Sequence, residues 1–467
     1  MSFLRRHTDG VVAFALGLVT FVWLLATLDH VGIGRDEGLY MNAAETYWHW
    51  AEGADFKWEK MRRQRWLDQH YNYNWEHPPL VKHLAGWSWR LFHRCRCPQQ
   101  RGLHRVGHRV HHYKEKHGTL GWLSEIEAFR LPTALLTALL VAAIYLFGAV
   151  AFGRLAGVAA AALYITMPRV FFHSHLAALD APVTATMFFA VYAYWKALHR
   201  ARWAVPAGLL FGVALATKLN AFFLPLLLAL HYAYASRDRF RSPLWAAVAL
   251  GLGLPAMLVA AYLAATTQSL WAGLLAGGLL VGLLSVRKEA FKKPHRAAGE
   301  MVPAVFWLQV SLGMGLLFAI WPRLWPAPVE RFTAYLGYHL HHVFYNTEYF
   351  GLNFNLPPFP VSYPFVMTLI TVPAVTCLLA LLGLGFHLRQ PLAWLQRLVE
   401  RLRESAPATQ AGSSEKKSGT ETPKHRDPGL RDGSPLESKA RRGFMRPLAG
   451  RPRSEGFLVG LCALFPL

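Results

Sequence analysis

The stretch VVAFALGLVTFVWLLATL (residues 11–28), followed by GRDEGLY (residues 34–40), decides the fold. Its first part is uncharged and apolar, and about 20 residues at 1.5 Å rise each span the hydrocarbon core of a bilayer. Its second part places two adjacent carboxylates, Asp36 and Glu37, just past the end of this run. At a membrane surface a carboxylate is partly desolvated, which raises its basicity. The pair is therefore a candidate for catalysis, and the alternative is that it only begins an interfacial helix.

The composition is typical of a polytopic membrane protein. The 467 residues are 54% hydrophobic and 13% aromatic, and the mean hydropathy of +0.22 is too apolar for a soluble domain of this length. The net charge of +22 is expected in cytoplasmic loops and near anionic headgroups. No nucleic-acid module occurs, so no nucleic-acid partner is expected. A basic N-terminus without a cleavage site predicts an uncleaved signal anchor whose N-terminus lies inside.

Apolar runs and the charges between them predict about ten crossings and a partial eleventh. The first external loop, residues 30–127, is long enough to translocate despite its arginines. Within this loop, apolar residues at helical spacing predict an amphipathic interfacial helix from Leu80 to Phe92. After the first run, the predicted crossings are 129–150, 155–172, 183–198, two within 205–234, 245–265, 270–285, 303–320 and 364–386.

The run from Val205 to Tyr234 carries Lys218 at its centre and arginines beyond both ends. Two short helices with Lys218 at their outer tip keep both groups of arginines inside. A single long tilted helix breaks this charge rule and leaves a lysine in lipid, at a cost of about 2.5 to 3.5 kcal/mol. The paired short helices are therefore the prediction.

The C-terminal part changes character after the last full crossing. An external loop, 321–363, rich in aromatic residues and prolines, precedes that crossing. Residues 388–455 lack apolar periodicity and are rich in Ser, Pro, Gly and charge, which predicts a disordered basic cytoplasmic segment. The terminal apolar segment, 456–467, is too short to span. We therefore expect either an incomplete member of its class or a chain end that only dips into the bilayer.

Polar groups that are unusual in such a chain all fall on the external side. They are Asp36, Glu37, His77, His175, Asp180, Lys218, Asn220, Arg323 and Tyr349. The count of crossings used no chemistry, so this coincidence predicts a single external-face site. Pro78 and Pro79 stop a helix from starting before Leu80, which holds His77 at the mouth of the interfacial helix. The alternative is a rigid turn with an incidental histidine.

Four motifs in order resemble glycosyltransferase family 39, which includes the protein O-mannosyltransferases and the bacterial aminoarabinose lipid A transferases. The motifs are the Asp36-Glu37 pair, a His-Pro-Pro-Leu-x-Lys box from His77 to Lys82, Leu-Asp-x-Pro from Leu179, and the segment from Gly208 to Lys218. The resemblance covers roughly residues 1–385. It departs from the aminoarabinose branch at Leu39, where that branch has a basic residue, and the charged stretches 94–118 and 389–455 have no counterpart.

The resemblance implies an all-α, multi-spanning GT-C fold with about 10–11 transmembrane helices and a catalytic domain over residues 1–387. It further implies an inverting, metal-independent transferase that requires no cofactor. The donor is expected to be a polyprenyl-phosphate-linked sugar, mannose-like or another hexose or pentose, and the acceptor a protein, lipid or glycan hydroxyl. The site is expected on the external face of the cytoplasmic membrane, or on the lumenal face in a eukaryote.

Roles for the site residues follow from this chemistry. Asp36 is the expected general base, and Glu37 or Asp180 orients the cations or binds sugar hydroxyls. General-base assistance is worth about 10² to 10⁴-fold. Charge builds on the departing phosphate, which needs cations or hydrogen-bond donors. The expected donor-binding residues are Lys218, His77, Arg323, Lys82 and Asn220, with Tyr349 as an aromatic that stacks on sugar.

Other interpretations stay open. A transporter or flippase would line a path with Asp180 and Lys218, but it predicts polar residues on both faces and internal repeats, and the sequence shows neither. A catalytically silent scaffold would tolerate alanine at Asp36, His77 and Lys218 together. Thiolates and imidazoles also favour a zinc site, but their spacing matches no standard structural site, so a solvated basic loop is expected instead. The residues of that loop are Cys95, Cys97, His104, His108, His111 and His112.

Overall fold

The computed structural model describes residues 2–94, 104–106, 109–111, 119–235, 304–341 and 344–385, and the single positions 396, 455, 458 and 459. Over these residues the protein is mostly helical, with two short β-hairpins. Two of the described helices are long and apolar enough to cross a membrane, or three if a pair bent by 69° forms one span. The expected helical membrane protein is confirmed at this level, while the number of crossings and the GT-C fold stay predictions.

Helices make up most of the described secondary structure, and short strands form the rest. The helices are α1 (Ser2–Ala26), α2 (Glu37–Glu52), α3 (Trp58–Met61), α4 (Gln64–Tyr71), α5 (Leu80–Phe92), α6 (Glu125–Ala151), α7 (Arg154–Thr166), α8 (Pro168–Ser174), α9 (Asp180–His199), α10 (Ala204–Leu215), α11 (Leu224–Ala235), α12 (Ala304–Ile320), α13 (Pro328–Leu340), α14 (Tyr363–Thr371) and α15 (Ala374–Gly385). The hairpin strands are β1 (His104–Val106), β2 (Arg109–His111), β3 (Thr347–Tyr349) and β4 (Leu352–Phe354).

Two predicted crossings are interrupted, and in each case a proline accounts for the break. The run 155–172 consists of α7 and α8, which meet at 69° where Pro168 begins the second helix. The run 364–386 consists of α14 and α15, with Pro373 between them. A proline has no N–H for the preceding turn and drives the residue before it to an extended conformation. Each run therefore consists of two helices, and whether each pair forms the predicted crossing stays a prediction.

The run 205–234 is also divided into two helices, as the paired-helix prediction requires. Helix α10 ends at Leu215, α11 begins at Leu224, and Lys218 between them is extended, with φ −158° and ψ 152°. Each helix has 12 residues, which corresponds to about 18 Å of length against about 30 Å of hydrocarbon. The single long helix is excluded, and Lys218 lies at a helix break.

Glycines allow α10 and α12 to pack closely in the core. A Cβ atom on Gly208 would lie 2.5 Å from the carbonyl oxygen of Leu308, and one on Gly212 would lie 2.8 Å from the carbonyl oxygen of Gly313. Small residues that let backbones approach in this way are typical of helix pairs in membranes, where dispersion contacts replace the hydrophobic effect. This packing supports the helix end from which Lys218 emerges.

Helix α5 has the predicted bounds and two distinct faces. Leu84, Trp87 and Leu91 are 38%, 52% and 39% exposed, as expected of the apolar side of a helix that lies in a membrane interface. The opposite side is packed against protein. The N–H of Leu80 donates to the carbonyl of Ala216 at 3.1 Å. The start of α5 is therefore attached to the chain just before Lys218.

Several predicted segments lie outside the described residues. These are the crossings 245–265 and 270–285, the cysteines Cys95 and Cys97, and almost all of the segments 388–455 and 456–467. Of the stretch 94–118, the structure describes little more than the backbone of a short hairpin in which β1 pairs with β2. The predicted domain boundaries therefore stay predictions.

The contact between α5 and α2 yields a test of the fold. A Cβ on Gly86 would lie 2.4 Å from the carbonyl oxygen of Ala44, so Gly86→Ala must push the two helices apart, and overpacking of this kind costs about 1 to 3 kcal/mol. We expect a lower melting temperature in detergent. Gly315→Ala is the control, because that helical glycine has no described atom within 4 Å of an added Cβ. Equal melting temperatures for the two variants would contradict the close approach.

Candidate active site

A buried ion pair joins the start of α2 to α6. Arg130 donates from Nε to Glu37 Oε1 at 2.7 Å and from Nη2 to Oε2 at 2.8 Å, and both side chains are 0% exposed. Arg130 also donates to the carbonyls of Leu28, Val31 and Gly32 at 2.6, 2.7 and 3.0 Å. One guanidinium therefore fixes the whole connection between α1 and α2.

Glu37 links this connection to the chain before α9. Its Oε1 accepts the N–H of Ala177 at 2.8 Å, and its Oε2 accepts the N–H of Gly34 at 3.0 Å. Asp36 directly precedes Glu37, and Asp180 follows Ala177 by three residues. Sequence reasoning groups Glu37 with Asp36 as catalytic, but its enclosed carboxylate favours a positioning role.

A second buried contact holds the same segment. The imidazole of His175 has Nε2 2.8 Å from the hydroxyl oxygen of Thr27 and Nδ1 2.7 Å from the carbonyl oxygen of Phe171. His175 is 0% exposed. The loop before α9 is therefore tied to the end of α1 through Thr27 and to the start of α2 through Glu37, and this restricts where Asp180 lies.

Asp36 differs from Glu37 both in its exposure and in its contacts. It is exposed, and it occupies the N-cap position of α2 without a side-chain hydrogen bond to the helix. In the described part of the chain its carboxylate has neither a hydrogen-bond nor an ion-pair partner. A carboxylate in this state is available to accept a proton from a bound hydroxyl group.

Tyr40 lies where the candidate residues converge. Burial raises the pKa of its hydroxyl well above the ordinary value, and the negative charges of Asp36, Asp180 and Glu76 raise it further. Its ring also meets the imidazole of His77 edge-on, with 5.6 Å between centroids. Tyr40 therefore contacts His77 and lies within electrostatic range of Asp36, Glu76 and Asp180.

Asp180 and Lys218 form a partly exposed ion pair. Lys218 Nζ lies 2.6 Å from Asp180 Oδ1, with side-chain exposures of 25% and 49%, and His173 Nδ1 is 3.8 Å from Asp180 Oδ2. Burial alone raises the pKa of the Asp180 carboxyl, but Lys218 above all, then His173 and His77, more than offset burial and hold the pKa below the ordinary value. The Asp180 carboxylate is therefore ionised at neutral pH, and the pair is accessible to a substrate.

His77 is an uncharged hydrogen-bonding group. Burial, then the charges of Lys82, Lys218 and His339, lowers the pKa of its imidazole to about 3. The rings of His77 and His339 are 6.2 Å apart, and Nε2 of His339 lies 2.8 Å from the carbonyl oxygen of Glu76. Of the two roles that the sequence allows for His77, cation or hydrogen-bond donor, the lowered pKa favours the donor.

Lys82 is directed into the protein. Its Nζ donates to the backbone carbonyls of Asn74 and His77 at 2.7 and 2.8 Å, to Asn74 Oδ1 at 3.1 Å and to the Tyr47 hydroxyl at 3.2 Å. The ammonium is 4.9 Å from the centroid of the Tyr47 ring. Burial lowers its pKa to about 7, against an opposing effect of Glu76. Lys82 therefore shapes the loop that carries His77, and the structure does not bring its ammonium to the surface of the site.

Arg323 lies beside the same loop. Its Nη1 donates to Asn72 Oδ1, and the guanidinium carbon is 4.6 Å from the centroid of the Trp75 ring. Burial, then the charge of Arg331, lowers the pKa of Arg323, while the charge of Glu76 is among the effects that raise it. The described contacts of Arg323 are thus with the loop before His77, without a contact to Asp36 or Lys218.

The last two predicted residues differ in position. Asn220 is half-buried in the 3-10 turn two residues after Lys218, so the structure keeps it near the ion pair. Tyr349 ends β3, with its hydroxyl 3.0 Å from Ser362 Oγ and its ring 5.3 Å from that of Tyr363. These contacts place Tyr349 against the start of α14, and its role at the site stays a prediction.

Sequence reasoning missed Arg130, Tyr40 and His339. Arg130 did carry a signal, because it lies inside the predicted crossing 129–150 and a charge within an apolar crossing requires a partner. Its partner Glu37 is 93 positions away in the sequence, and apolar periodicity predicts no contact over such a separation. Tyr40 and His339 carried no signal, since aromatic residues are common at membrane interfaces.

These features define a class of protein: a helical membrane protein with an exposed carboxylate, an imidazole and an ammonium near helix ends. Residues 123–263 match the family model of the dolichyl-phosphate-mannose-protein mannosyltransferases, and the resemblance seen in the motifs is thereby confirmed. The match indicates a membrane glycosyltransferase. The matched segment contains Arg130, Asp180 and Lys218, whereas Asp36 and His77 precede it. No curated protein and no solved structure matches the chain.

The buried ion pair leads to a stability prediction. Arg130→Met leaves the Glu37 carboxylate buried without its cation, which costs about 3 to 5 kcal/mol of unfolding free energy. Combining it with Glu37→Gln removes both charges, so we expect the double variant to be more stable than Arg130→Met. Arg154→Gln is the control, because that arginine pairs with Asp9 at 2.6 Å while 42% exposed, and such pairs are worth less than about 1 kcal/mol. Denaturant titration in detergent measures the unfolding midpoint of each variant. Equal midpoints for Arg130→Met and Arg154→Gln, or for Arg130→Met and the double variant, would refute the prediction.

The low pKa of Lys82 predicts a pH dependence of stability. The pKa is about 7 in the fold against an ordinary value of 10.5, so between these values the unfolded chain binds more protons and stability increases with pH. The cost of burying the ammonium is complete below pH 7 and disappears as the pH rises toward 10.5. We expect Lys82→Met to lose this increase, as measured by melting curves across that range. Lys60→Met, at a surface lysine bonded to the Gly53 carbonyl, should keep the wild-type slope, and an unchanged slope in Lys82→Met would disprove the prediction.

Proposed function

We propose that the protein is a membrane glycosyltransferase that moves a mannose-like sugar, or another hexose or pentose, from a polyprenyl-phosphate carrier to an acceptor hydroxyl with inversion. The match to the mannosyltransferase family supports the reaction class and the donor. The observation that carries the proposal is the exposed carboxylate of Asp36. It has no partner in the described part of the chain, and its neighbour Glu37 is locked to Arg130.

In the proposed reaction, Asp36 takes the proton of the acceptor hydroxyl while that oxygen attacks the anomeric carbon. The bond between this carbon and the phosphate oxygen breaks, and polyprenyl phosphate leaves with the bonding electrons. Attack from the side opposite the phosphate inverts the anomeric centre. Base assistance accounts for about 10² to 10⁴-fold of the rate. No cofactor is required, because the protein side chains supply both the base and the countercharge.

The leaving phosphate needs positive charge, and Lys218 is the group best placed to supply it. Its ammonium is partly exposed, and Asp180 holds it at 2.6 Å. Negative charge that develops on the phosphate is stabilised most by donors already in position. Neutral His77 donates a hydrogen bond to the donor substrate, and Asn220 and Arg323 are further candidates on either side. Glu37 and Lys82 act by positioning Asp36 and His77.

We place this site on the external face of the cytoplasmic membrane, or on the lumenal face in a eukaryote. The charge rule puts the arginines that flank α10 and α11 inside, which leaves Lys218 at the opposite border. The attachment of α5 to Ala216 keeps His77 at the same border. The acceptor is a hydroxyl group of a protein, a lipid or a glycan.

Asp36→Asn tests the base directly. The amide keeps the shape of the side chain but accepts no proton, so we expect transfer from radiolabelled polyprenyl-phosphate mannose to membrane acceptors to fall by about 10² to 10⁴-fold. Asp29→Asn is the matched control, an exposed aspartate at the end of the same apolar run, and it should retain activity.

Two results would overturn the proposal. One is wild-type transfer by Asp36→Asn, which would remove Asp36 as the base. The other is movement of the labelled lipid-linked sugar across reconstituted vesicles, without transfer and with no effect of Asp36→Asn. That outcome would instead assign a transporter.

A further inference from the structure

A strongly basic and aromatic surface lies between α2 and α4. We call residues 56–65 the basic turn; the segment lies between α2 and α4, contains α3 and ends in the first turn of α4. It carries one acidic residue, Glu59, against five basic ones: Lys57, Lys60, Arg62, Arg63 and Arg65. All of these except Lys60 are exposed. The glycosyl-transfer chemistry uses none of them.

The charge of the basic turn is poorly compensated. Lys57 lies 3.8 Å from Asp55, and Lys60 donates to the Gly53 carbonyl, but the three arginines have no ion-pair partner in the described part of the chain. Helix α4 begins directly after Arg63, with no acidic residue in its first turn. The positive end of a helix dipole therefore adds to the field of the arginines.

The backbone beside these charges turns an aromatic side chain toward the outside. Asp55 and Phe56 both have positive φ, 51° and 55°, a conformation that is unfavourable for residues with a Cβ. Phe56 is nevertheless 54% exposed, and Trp58 is 58% exposed. Two large apolar side chains are thus exposed to solvent among cations, and exposed apolar surface is unfavourable in water.

Phe56 also continues the apolar face of α5. Its ring centroid is 5.8 Å from that of Trp48, and the ring of Trp87 meets the same Trp48 at 5.2 Å. Trp87 belongs to the exposed side of α5, together with Leu84 and Leu91. An apolar strip therefore runs from α5 to the basic turn, and the arginines lie at its end.

We propose that the basic turn lies on the membrane surface and binds anionic phospholipid headgroups. The arginines pair with lipid phosphates, for which a guanidinium is suited because it donates two parallel hydrogen bonds. Phe56, Trp58 and Trp87 enter the boundary between headgroups and acyl chains. A lipid surface fits better than an acidic polypeptide, because the apolar strip continues a helix with interfacial character, and surfaces that join basic and aromatic side chains bind anionic membranes.

The experiment uses the full chain, with its four cysteines replaced by serine and a nitrobenzoxadiazole label on Phe56→Cys. The protein is reconstituted in nanodiscs of phosphatidylcholine, with or without phosphatidylglycerol. With the anionic lipid we expect a blue shift of the label and stronger quenching by a lipid that carries a headgroup nitroxide. High salt should reduce both changes, because it screens the charges.

Matched variants separate this local contact from general charge effects. Arg62→Gln with Arg63→Gln should lose the response to phosphatidylglycerol. Arg200→Gln with Arg202→Gln removes the same amount of charge just after the C-terminal end of α9 and should keep the response. Melting curves establish that each variant is folded.

Each contrary result overturns the proposal. Absence of the response in the labelled parent, or its persistence in the Arg62 and Arg63 variant, excludes headgroup binding by the basic turn. Quenching that is equal in both lipids reveals an apolar contact only. A response to polyglutamate without one to phosphatidylglycerol assigns the surface to an acidic polypeptide. Loss of glycosyl transfer alone leaves these outcomes unaffected.

Discussion

The buried contact between Arg130 and Glu37 is the constraint on which the rest of the described structure depends. A guanidinium has five N–H donors, and in this protein each is used: two bond to the Glu37 carboxylate and three to the carbonyls that follow α1. Complete pairing is the condition under which a charged pair is stable away from water. The groups in this contact belong to the segment after α1, to α2, to α6 and to the segment before α9. The contact therefore holds these elements in one arrangement.

That arrangement explains why two neighbouring acids differ so strongly. Glu37 is enclosed at the start of α2, whereas Asp36, one residue earlier, stays exposed. The lysines divide in the same way. Lys82 is buried among carbonyl oxygens, and Lys218 reaches the surface in an ion pair with Asp180. Glu37 and Lys82 thus hold the backbone in place, whereas Asp36 and Lys218 are accessible.

Helix breaks supply the remaining geometry. Lys218 lies between two 12-residue helices, and a proline separates α7 from α8 just before the loop of His175 and Asp180. Interrupted helices leave backbone groups without partners, and in this protein some of them serve the site. The carbonyl of Ala216, at the end of α10, accepts the first N–H of α5. The loop with His77 is therefore attached to the helix break with Lys218.

The sequence by itself determined the membrane class, the bounds of α5, the break at Lys218 and the family resemblance. Apolar length, helical periodicity and motif order are local properties of the chain, so they can be read without coordinates. Only the tertiary structure decided that Arg130 pairs with Glu37, that Lys82 turns inward and that Tyr349 packs on the start of α14. It also divided the run 155–172 at Pro168. The physical reason is that the partner of a charge is decided by distance in space, and the buried contact of Arg130 with Glu37 joins residues 93 positions apart.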